Sequence, residues 1–312
     1  MQSNLRISIF ALALTPAMLS QDAPVFRETT TLVTVPCTVT DERGVAVSDL
    51  GVDDFRLYVD GVRRKIDNLW PEVDLPLLLG VINDVSDSQR SHISEKDRAV
   101  TQLLARVIHG ENRAFVVAVN ENVILKSEVS TGPYGFRYRI LAGPGGEPLG
   151  VPCGVLEGAH GRRSPVCGGT ALWNAIYASA HRKLIGSPGN KALLILSDGN
   201  DTGSTHNFAA ALKEVQQSGT VVYAVRYPDP LSKDASADDL RRLTDETGGI
   251  LFDLDGVDYA GIISRIEADL RGHYVLDFRP DSTARETGRH SVKVEVLRSG
   301  ATVRARREYA GS

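Results

Sequence analysis

The sequence predicts an α/β fold in which a doubly wound sheet carries helices on both faces, together with a small β-rich module. The first observation is an apolar run, Leu77 to Ile82, that ends abruptly in polar residues, as central parallel strands do. The second is the alternation of strand and helix patterns across residues 75–272. The third is a series of strand patterns in the flanking segments 25–74 and 273–312. We expect these two segments to pack together as one module, because neither could bury a large core alone.

Composition and charge limit the classes of function. The chain has 312 residues, of which 42% are hydrophobic and 24% charged, an ordinary globular composition. A formal net charge of −4 and the lack of any basic block argue against nucleic-acid binding. The length allows one large α/β domain with a modest second module.

Residues 1–20 have the pattern of a secretory signal peptide. Arg6 precedes a mainly apolar segment, Ile7 to Leu14, and small residues follow at 15–17. The apolar segment is too short to span a bilayer, so we expect a secreted or periplasmic protein without a stable membrane span after cleavage. An uncleaved membrane anchor is the alternative, and the pattern does not define the cleavage position.

The three cysteines fit an exported protein. Cys153 and Cys167 flank a loop rich in glycine and proline, and a disulfide between them would stabilise the fold by about 3 kcal/mol in the chain-entropy model. Cys37 lies on the apolar face of a strand pattern, which indicates a buried free thiol. Pairing with a second molecule is the alternative for this odd cysteine.

Apolar periodicity predicts the elements of the α/β region in order. The long segment 131–168 has no clear period and is either a functional loop or a tolerated surface insertion. We expect strands at 113–119, 122–129 (an antiparallel edge strand), 191–196, 221–225 and 250–254, and helices at 93–108, 171–184, 207–217, 237–246 and 259–270.

The β-rich module is predicted from strand and turn signals. Asp60-Gly61 is a strong hairpin signal, and Pro36 favours an edge position for the first strand. We expect strands at 31–40, 55–59, 64–69, 274–278, 291–297 and 301–307, with the last two forming a hairpin across Ser299-Gly300.

A cluster of polar residues follows the apolar strand and is the first candidate site. Asp84, Ser86 and Ser88 alternate, so an extended turn can direct all three side chains to one point. Ligands bind beyond the carboxyl ends of strands in open α/β sheets. One carboxylate and two hydroxyls are hard oxygen ligands that suit Mg²⁺, Mn²⁺ or Ca²⁺. The alternative is a plain turn that caps the following helix.

Three motifs, in order, resemble those of the von Willebrand factor A (VWA) domain. Asp84-x-Ser86-x-Ser88 resembles its D-x-S-x-S signature, and Gly168-Gly169-Thr170 with Leu172 resembles its G-G-T-x-L segment. Ser197-Asp198-Gly199, at the end of a second apolar strand, resembles its [ST]-D-G segment. The segment from Val39 to Gly61, which includes Val39-Thr40-Asp41 and Asp54-Phe55, is similar to the VWFA-related domain of acidobacterial secreted proteins.

This resemblance implies a Rossmann-like VWA sheet with a metal-ion-dependent adhesion site. It implies Ser86 and Ser88 as direct ligands, Thr170 as a ligand that enters or leaves, and Asp84 and Asp198 as carboxylates that act through water. The implied cofactor is a divalent cation, Mg²⁺ first and Mn²⁺ or Ca²⁺ as alternatives. The implied partner is a protein that offers an Asp or Glu carboxylate to the cation, so the role is adhesion and not catalysis.

The sequence departs from the family pattern at two positions of the first motif. Asp87 stands where members have Gly, and Gln89 stands where they have Met. Asp87 and Asp201 either join the site or face away from it. Two other functions stay open: a structural domain whose metal site is degenerate, and a metal-dependent hydrolase. No G-x-S-x-G or H-E-x-x-H motif supports the hydrolase.

Overall fold

A computed structural model describes residues 32–71, 75–130, 147–148, 155–157, 163–165, 169–227, 235–254, 259–280 and 288–310. The predicted signal peptide and the predicted Cys153–Cys167 disulfide lie outside the described residues. Most of the 131–168 segment also lies outside them. Cys37 is buried and free, as predicted.

The described elements follow one another in the order that the sequence predicts for the α/β region. The strands are β1 (Val33–Thr40), β2 (Phe55–Val59), β3 (Val62–Arg64), β4 (Asn68–Pro71), β5 (Leu77–Asp84), β6 (Arg113–Val119), β7 (Val123–Ser130), β8 (Glu147–Pro148), β9 (Val155–Glu157), β10 (Arg163–Pro165), β11 (Asn190–Ser197), β12 (Val221–Arg226), β13 (Leu251–Asp253), β14 (His273–Phe278), β15 (Arg289–Val296), β16 (Thr302–Ala305) and β17 (Glu308–Ala310). The helices are α1 (Ile93–Val107), α2 (Leu172–Ser179), α3 (Phe208–Ser218), α4 (Ala235–Thr247) and α5 (Tyr259–Arg271). A 3-10 turn, Asp87–His92, precedes α1, and a π-helical turn, Ala180–Leu184, extends α2.

The large sheet has the order β13-β12-β11-β5-β6-β7-β8. The five strands from β13 to β6 run parallel, and β7 and β8 add antiparallel pairs at one side. From β5 the chain continues to β6 on one side, whereas from β11 it continues to β12 on the other. The sheet is therefore doubly wound, and the predicted fold class is confirmed.

Side chains of the central strands alternate between two cores, one on each face of the sheet. Leu79 and Val81 of β5 pack in a core with residues of α1 and α5. Ile82 of the same strand packs on the opposite face, in a core with residues of α2, α3 and α4. Burial on both faces explains why the sequence shows continuous apolar runs here. Among the described residues, no helix combines the length and apolar character that crossing a bilayer requires.

The β-rich module consists of two four-stranded sheets, in the orders β16-β1-β14-β4 and β17-β15-β2-β3. Each sheet combines strands from before and after the α/β region, as the sequence predicts. The hairpin between β2 and β3 turns at Asp60 and Gly61, whose φ angles are 51° and 75°. A third core, which includes Val35, Leu57 and Tyr274, fills the module. The predicted domain boundaries at residues 74/75 and 272/273 stay predictions.

Several predictions for strand pairing are wrong. The last strands do not form a hairpin across Ser299-Gly300, because β16 pairs with β1 in one sheet and β15 pairs with β2 in the other. The strand predicted at 64–69 is divided: β3 ends at Arg64, and β4 pairs with β14 in the opposite sheet. The Pro36 strand lies inside its sheet, although β16 pairs only with its second half, from Cys37.

Two further differences concern the edge of the large sheet and the long loop. β7 is not an edge strand among the described residues, because β8 pairs with it. Within the segment that we predict as a loop, β9 and β10 form a short antiparallel pair. Both features come from strands of two or three residues, which are too short to leave a period in the sequence.

Candidate metal site

The candidate site lies where the two central strands of the large sheet end side by side. β5 ends at Asp84, and Asp198 directly follows the last residue of β11. These strands are parallel neighbours from which the chain leaves in opposite directions, which is the switch point where α/β sheets bind ligands. Pairing in register brings the two motifs together, although more than a hundred residues separate them.

Asp84 is fully buried and is fixed at both of its carboxylate oxygens. The backbone N–H of Ser86 donates to Oδ1 at 3.0 Å, and the hydroxyl of Ser197 donates to Oδ2 at 2.6 Å. Burial raises the pKa of Asp84, and the nearby positive charge of Lys96 and the hydrogen bonds from Ser197 and Ser86 oppose that rise. Asp84 is therefore oriented from within the protein.

Ser86, Ser88 and Asp198 continue the network toward the surface. The hydroxyls of Ser86 and Ser88 are 3.2 Å apart, and Ser88 donates to Oδ2 of Asp198 at 2.9 Å. Asp198 is buried, and its Oδ1 accepts from the backbone N–H of Asn200 at 2.9 Å. Ser86 is half-buried and Ser88 exposed, so hydroxyl oxygens line the accessible side of the cluster.

Thr170 is buried on a neighbouring loop, which a second threonine holds in place. Its N–H donates to Oγ1 of Thr202 at 3.1 Å, and its C=O accepts from the N–H groups of Thr202 and Gly203, both at 3.0 Å. The hydrogen-bonded network of Asp84, Ser86, Ser88 and Asp198 does not include Thr170. Four of the five predicted ligands are thus joined by hydrogen bonds, and the fifth is presented separately by its own loop.

Gly169 and Thr202 explain how the two loops approach so closely. Gly169 has φ +95°, and a Cβ there would stand 1.7 Å from Oγ1 of Thr202. Only glycine, which has no Cβ and adopts positive φ readily, allows this approach of the two backbones at position 169. Thr202 was missed, because nothing in its local sequence indicates which backbone it would contact.

Neither of the two further aspartates points into the network. Asp87 is exposed and pairs with Arg90 at 2.7 Å. Oδ1 of Asp201 accepts from the N–H of Trp173 at 3.2 Å and from the hydroxyl of Ser204 at 2.5 Å. Asp201 therefore satisfies an N–H group in the first turn of α2, as a capping residue does.

A fully buried lysine, Lys96, contacts the residues of the site, and it was not predicted from the sequence. Nζ of Lys96 donates to the backbone oxygen of Asp84 at 3.0 Å and to Oε1 of Gln89 at 2.6 Å, and it lies 4.4 Å from the ring centroid of Tyr227. Nε2 of Gln89 in turn donates to Oδ2 of Asp198 at 3.1 Å and to the backbone oxygen of Tyr227 at 3.3 Å. Burial lowers the pKa of Lys96 to about 8, although the charges of Asp84 and Asp198 act to raise it.

The sequence does contain an indication that Lys96 is buried. Lys96 precedes Val100, Leu103 and Val107 at helical spacing, so it continues the buried stripe of α1. Gln89, a polar residue where the resemblance leads to expect Met, was the second signal. Each observation alone is ambiguous, and only the fold shows that the two side chains meet.

The residues present fit a hard divalent cation. The accessible side of the cluster offers hydroxyl oxygens, with two carboxylates behind them, and these are oxygen ligands of the kind that Mg²⁺ takes. The described residues contain no group of three or more His, Cys, Asp or Glu side chains placed to hold a metal.

Comparisons with known proteins give no match in sequence. No protein-family model matches the chain, and no curated protein matches it. Among solved structures, the chain is similar to the conserved hypothetical protein BatB from Bacteroides thetaiotaomicron, with 11% identity and a TM-score of 0.40, over 61% of this chain and 97% of that one.

Two other similar structures carry the VWA name. The ArnB paralog VWA2 from Sulfolobus acidocaldarius has 11% identity and a TM-score of 0.42, over 89% of this chain and 76% of that one. A von Willebrand factor type A protein from Catenulispora acidiphila has 12% identity and a TM-score of 0.38, over 92% and 74%. At identities and TM-scores this low, the comparisons add nothing to the doubly wound sheet that the strand order itself shows.

Proposed function

We propose that this protein is a VWA-type interaction domain that binds a protein partner through a divalent cation. The observation that carries the proposal is the hydrogen-bonded network of Asp84, Ser86, Ser88 and Asp198 at the switch point of the sheet. A bound cation would supply a Lewis-acidic position for an oxygen anion of the partner. The proposal includes Mg²⁺ as the first candidate ion and a secreted or periplasmic location.

The roles of the residues follow from their positions. Ser86 and Ser88 present hydroxyl oxygens on the accessible side, whereas Asp84 and Asp198 supply negative charge from behind. Thr170, on its separate loop, could add a further hydroxyl when the partner binds. The proposed role of this arrangement is binding and not catalysis.

Titration of the purified chain with Mn²⁺ tests the metal site. We expect one bound ion in the wild type and little binding in Asp84→Asn and in Ser86→Ala. The matched control is Asp87→Asn, which removes a neighbouring carboxylate that points away from the network. Equal losses in the control and in Asp84→Asn would show that general surface charge, and not this network, attracts the ion.

A pair of peptides tests the adhesive role. An immobilised peptide with a central Asp should retain the protein in Mg²⁺ and release it in chelator, whereas the peptide with Asn should not retain it. Retention that persists in chelator would contradict a cation-mediated contact. This result would leave a structural domain with a degenerate site as the better interpretation.

A further inference from the structure

The buried ammonium group of Lys96 is not part of the proposed binding role, and its position needs an explanation. Moving a charged amine out of water is unfavourable unless the surroundings compensate it. Lys96 has two oxygen acceptors and the face of an aromatic ring, but neither acceptor is a carboxylate. The negative charge that compensates it is that of Asp84 and Asp198: Nζ contacts the backbone oxygen of Asp84, and Gln89 bridges Nζ to the carboxylate of Asp198.

The negative charges of Asp84 and Asp198 are buried as well and also need compensation. Both are buried, at 0% and 1% exposure, and two desolvated carboxylates at one site repel each other. A nearby fixed positive charge removes part of this repulsion. Lys96, which is fully buried, supplies such a charge from inside the protein.

Gln89 connects this charge to the network. Its amide accepts from Lys96 through Oε1 and donates to Asp198 through Nε2, so it holds the lysine and the aspartate in one hydrogen-bonded chain. The family resemblance leads to expect methionine here. Its sulfur is only a weak acceptor for the lysine N–H, and it has no N–H group to donate to the carboxylate. The substitution at position 89 and the burial of Lys96 therefore belong together.

We propose that Lys96, held by Gln89, is an internal counter-charge that competes with the divalent cation for the negative charge of Asp84 and Asp198, and so weakens cation binding. This inference rests on the proposed function, because it concerns the same cation site. In consequence the network stays assembled without an ion, and the ion binds only when its concentration is high or when a partner's anion adds to the ligand set.

The test compares Mn²⁺ affinity, measured by calorimetry with the metal alone, in four forms of the full chain. Lys96→Met removes the charge, and the double variant Gln89→Met, Lys96→Met also replaces Oε1 of Gln89, the side-chain acceptor that the single variant leaves buried without its donor. Lys191→Met is the matched control. It removes a lysine that is also partly desolvated, at the other end of the same central sheet, where its Nζ donates to the backbone oxygen of Ser187.

We expect Lys96→Met or the double variant to bind Mn²⁺ about tenfold or more tightly than the wild type, because a like charge near the ion is gone. Lys191→Met should bind as the wild type does. Measurable binding in the variants and none in the wild type would also support the counter-charge, but would remove the cation from the proposed function. Wild-type binding that the variants leave unchanged or weaken would overturn the counter-charge and leave the proposed function standing. Binding in no form would overturn both.

Discussion

Ser88 donates a hydrogen bond of 2.9 Å to Oδ2 of Asp198, although 110 positions separate the two residues in the chain. The bond joins the turn after β5 to the turn after β11, so it fixes the spacing of the two halves of the site. Asp198 accepts from Ser88 and from Gln89 at the same oxygen. One carboxylate oxygen thus links the exposed serines to the buried lysine behind them.

The loop that presents Thr170 should depend on glycine at position 169. Gly169→Ala would place a methyl group against Thr202 at a positive φ, so we expect a loss of about 2–4 kcal/mol in the free energy of unfolding. The control is Gly186→Ala, which has a similar φ of +75° but no atom within 4 Å of the added Cβ. Urea denaturation of both variants separates backbone strain from steric overlap, and similar losses would contradict the close approach of the two loops.

A buried arginine should contribute strongly to stability although, within the described part of the chain, its hydrogen bonds go to backbone oxygens and to no carboxylate. Arg306 donates to the backbone oxygens of Thr34, Gln216 and Glu308, and so connects β1, α3 and β17. Arg306→Met would leave these buried carbonyls without a donor, and we expect it to lower the free energy of unfolding by about 2–4 kcal/mol.

The neighbouring residue provides the control for this variant. Arg307 is exposed and pairs with Asp245 at 3.4 Å. Because exposed ion pairs stabilise little, Arg307→Met should change the free energy of unfolding by no more than about 0.5 kcal/mol. Equal effects at 306 and 307, measured by urea denaturation, would contradict the structural role of the buried guanidinium.

Acid should weaken the contacts between α5 and the strands beside it. Asp269 accepts from the hydroxyl of Tyr223 at 2.7 Å and pairs with Arg304. Burial alone would raise the pKa of Asp269, but contact with His273 and the charge of Arg304 outweigh it and hold the pKa at about 2, below the ordinary 3.8. The stabilising contribution is therefore complete above pH 3.8 and is lost as the pH falls through about 2.

The lowered pKa of Asp269 predicts a measurable difference in stability between the wild type and the variant Asp269→Asn. At pH 6, Asp269→Asn should unfold with a free energy about 2 kcal/mol lower than the wild type. The two curves of stability against pH should converge toward pH 2, since protonation makes the wild-type side chain neutral as well. Parallel curves over this range would show that the carboxylate charge is not what stabilises the contact.

The cysteines should differ in reactivity. Cys37 is buried, which raises its thiol pKa, so it should resist alkylation in the native protein and react after unfolding. Cys153 and Cys167, which lie outside the described residues, are predicted to form a disulfide in protein from an oxidising compartment. Peptide mapping without reductant tests both statements, and a bridge to Cys37 would contradict them.

The sequence predicted the fold and the site best where the local pattern of residues directly reflects the position of a strand in the folded protein. The continuous apolar run before Asp84 exists because β5 is covered on both faces, and the polar residues after it mark the carboxyl end of the strand. The same logic placed Asp198 beyond β11. That the two motifs meet was implied by the family resemblance, because the fold class alone does not say that β5 and β11 are neighbours.

The sequence was least informative where one residue depends on a distant contact. After Gly300 the chain crosses to the other sheet and does not form the predicted hairpin. β16 pairs with β1, about 265 residues earlier in the chain, and not with its sequence neighbour β15. Lys96 was overlooked for a similar reason. Its burial requires the oxygen of Asp84, the amide of Gln89 and the ring of Tyr227 together, and no window of sequence contains all three.

The pairing of β1 with β14 and of β2 with β15 has a consequence for the order of folding. A chain made from its N-terminus exposes β1 and β2 long before their partners at 273–278 and 289–296 exist. The strands of the large sheet, between residues 77 and 253, all emerge earlier than those partners. We expect the large sheet to assemble first. Until their partners emerge, β1 and β2 have unpaired edges with which other chains could form strand pairs. The period of greatest aggregation risk should therefore fall during synthesis, and should end only when the last strands have emerged.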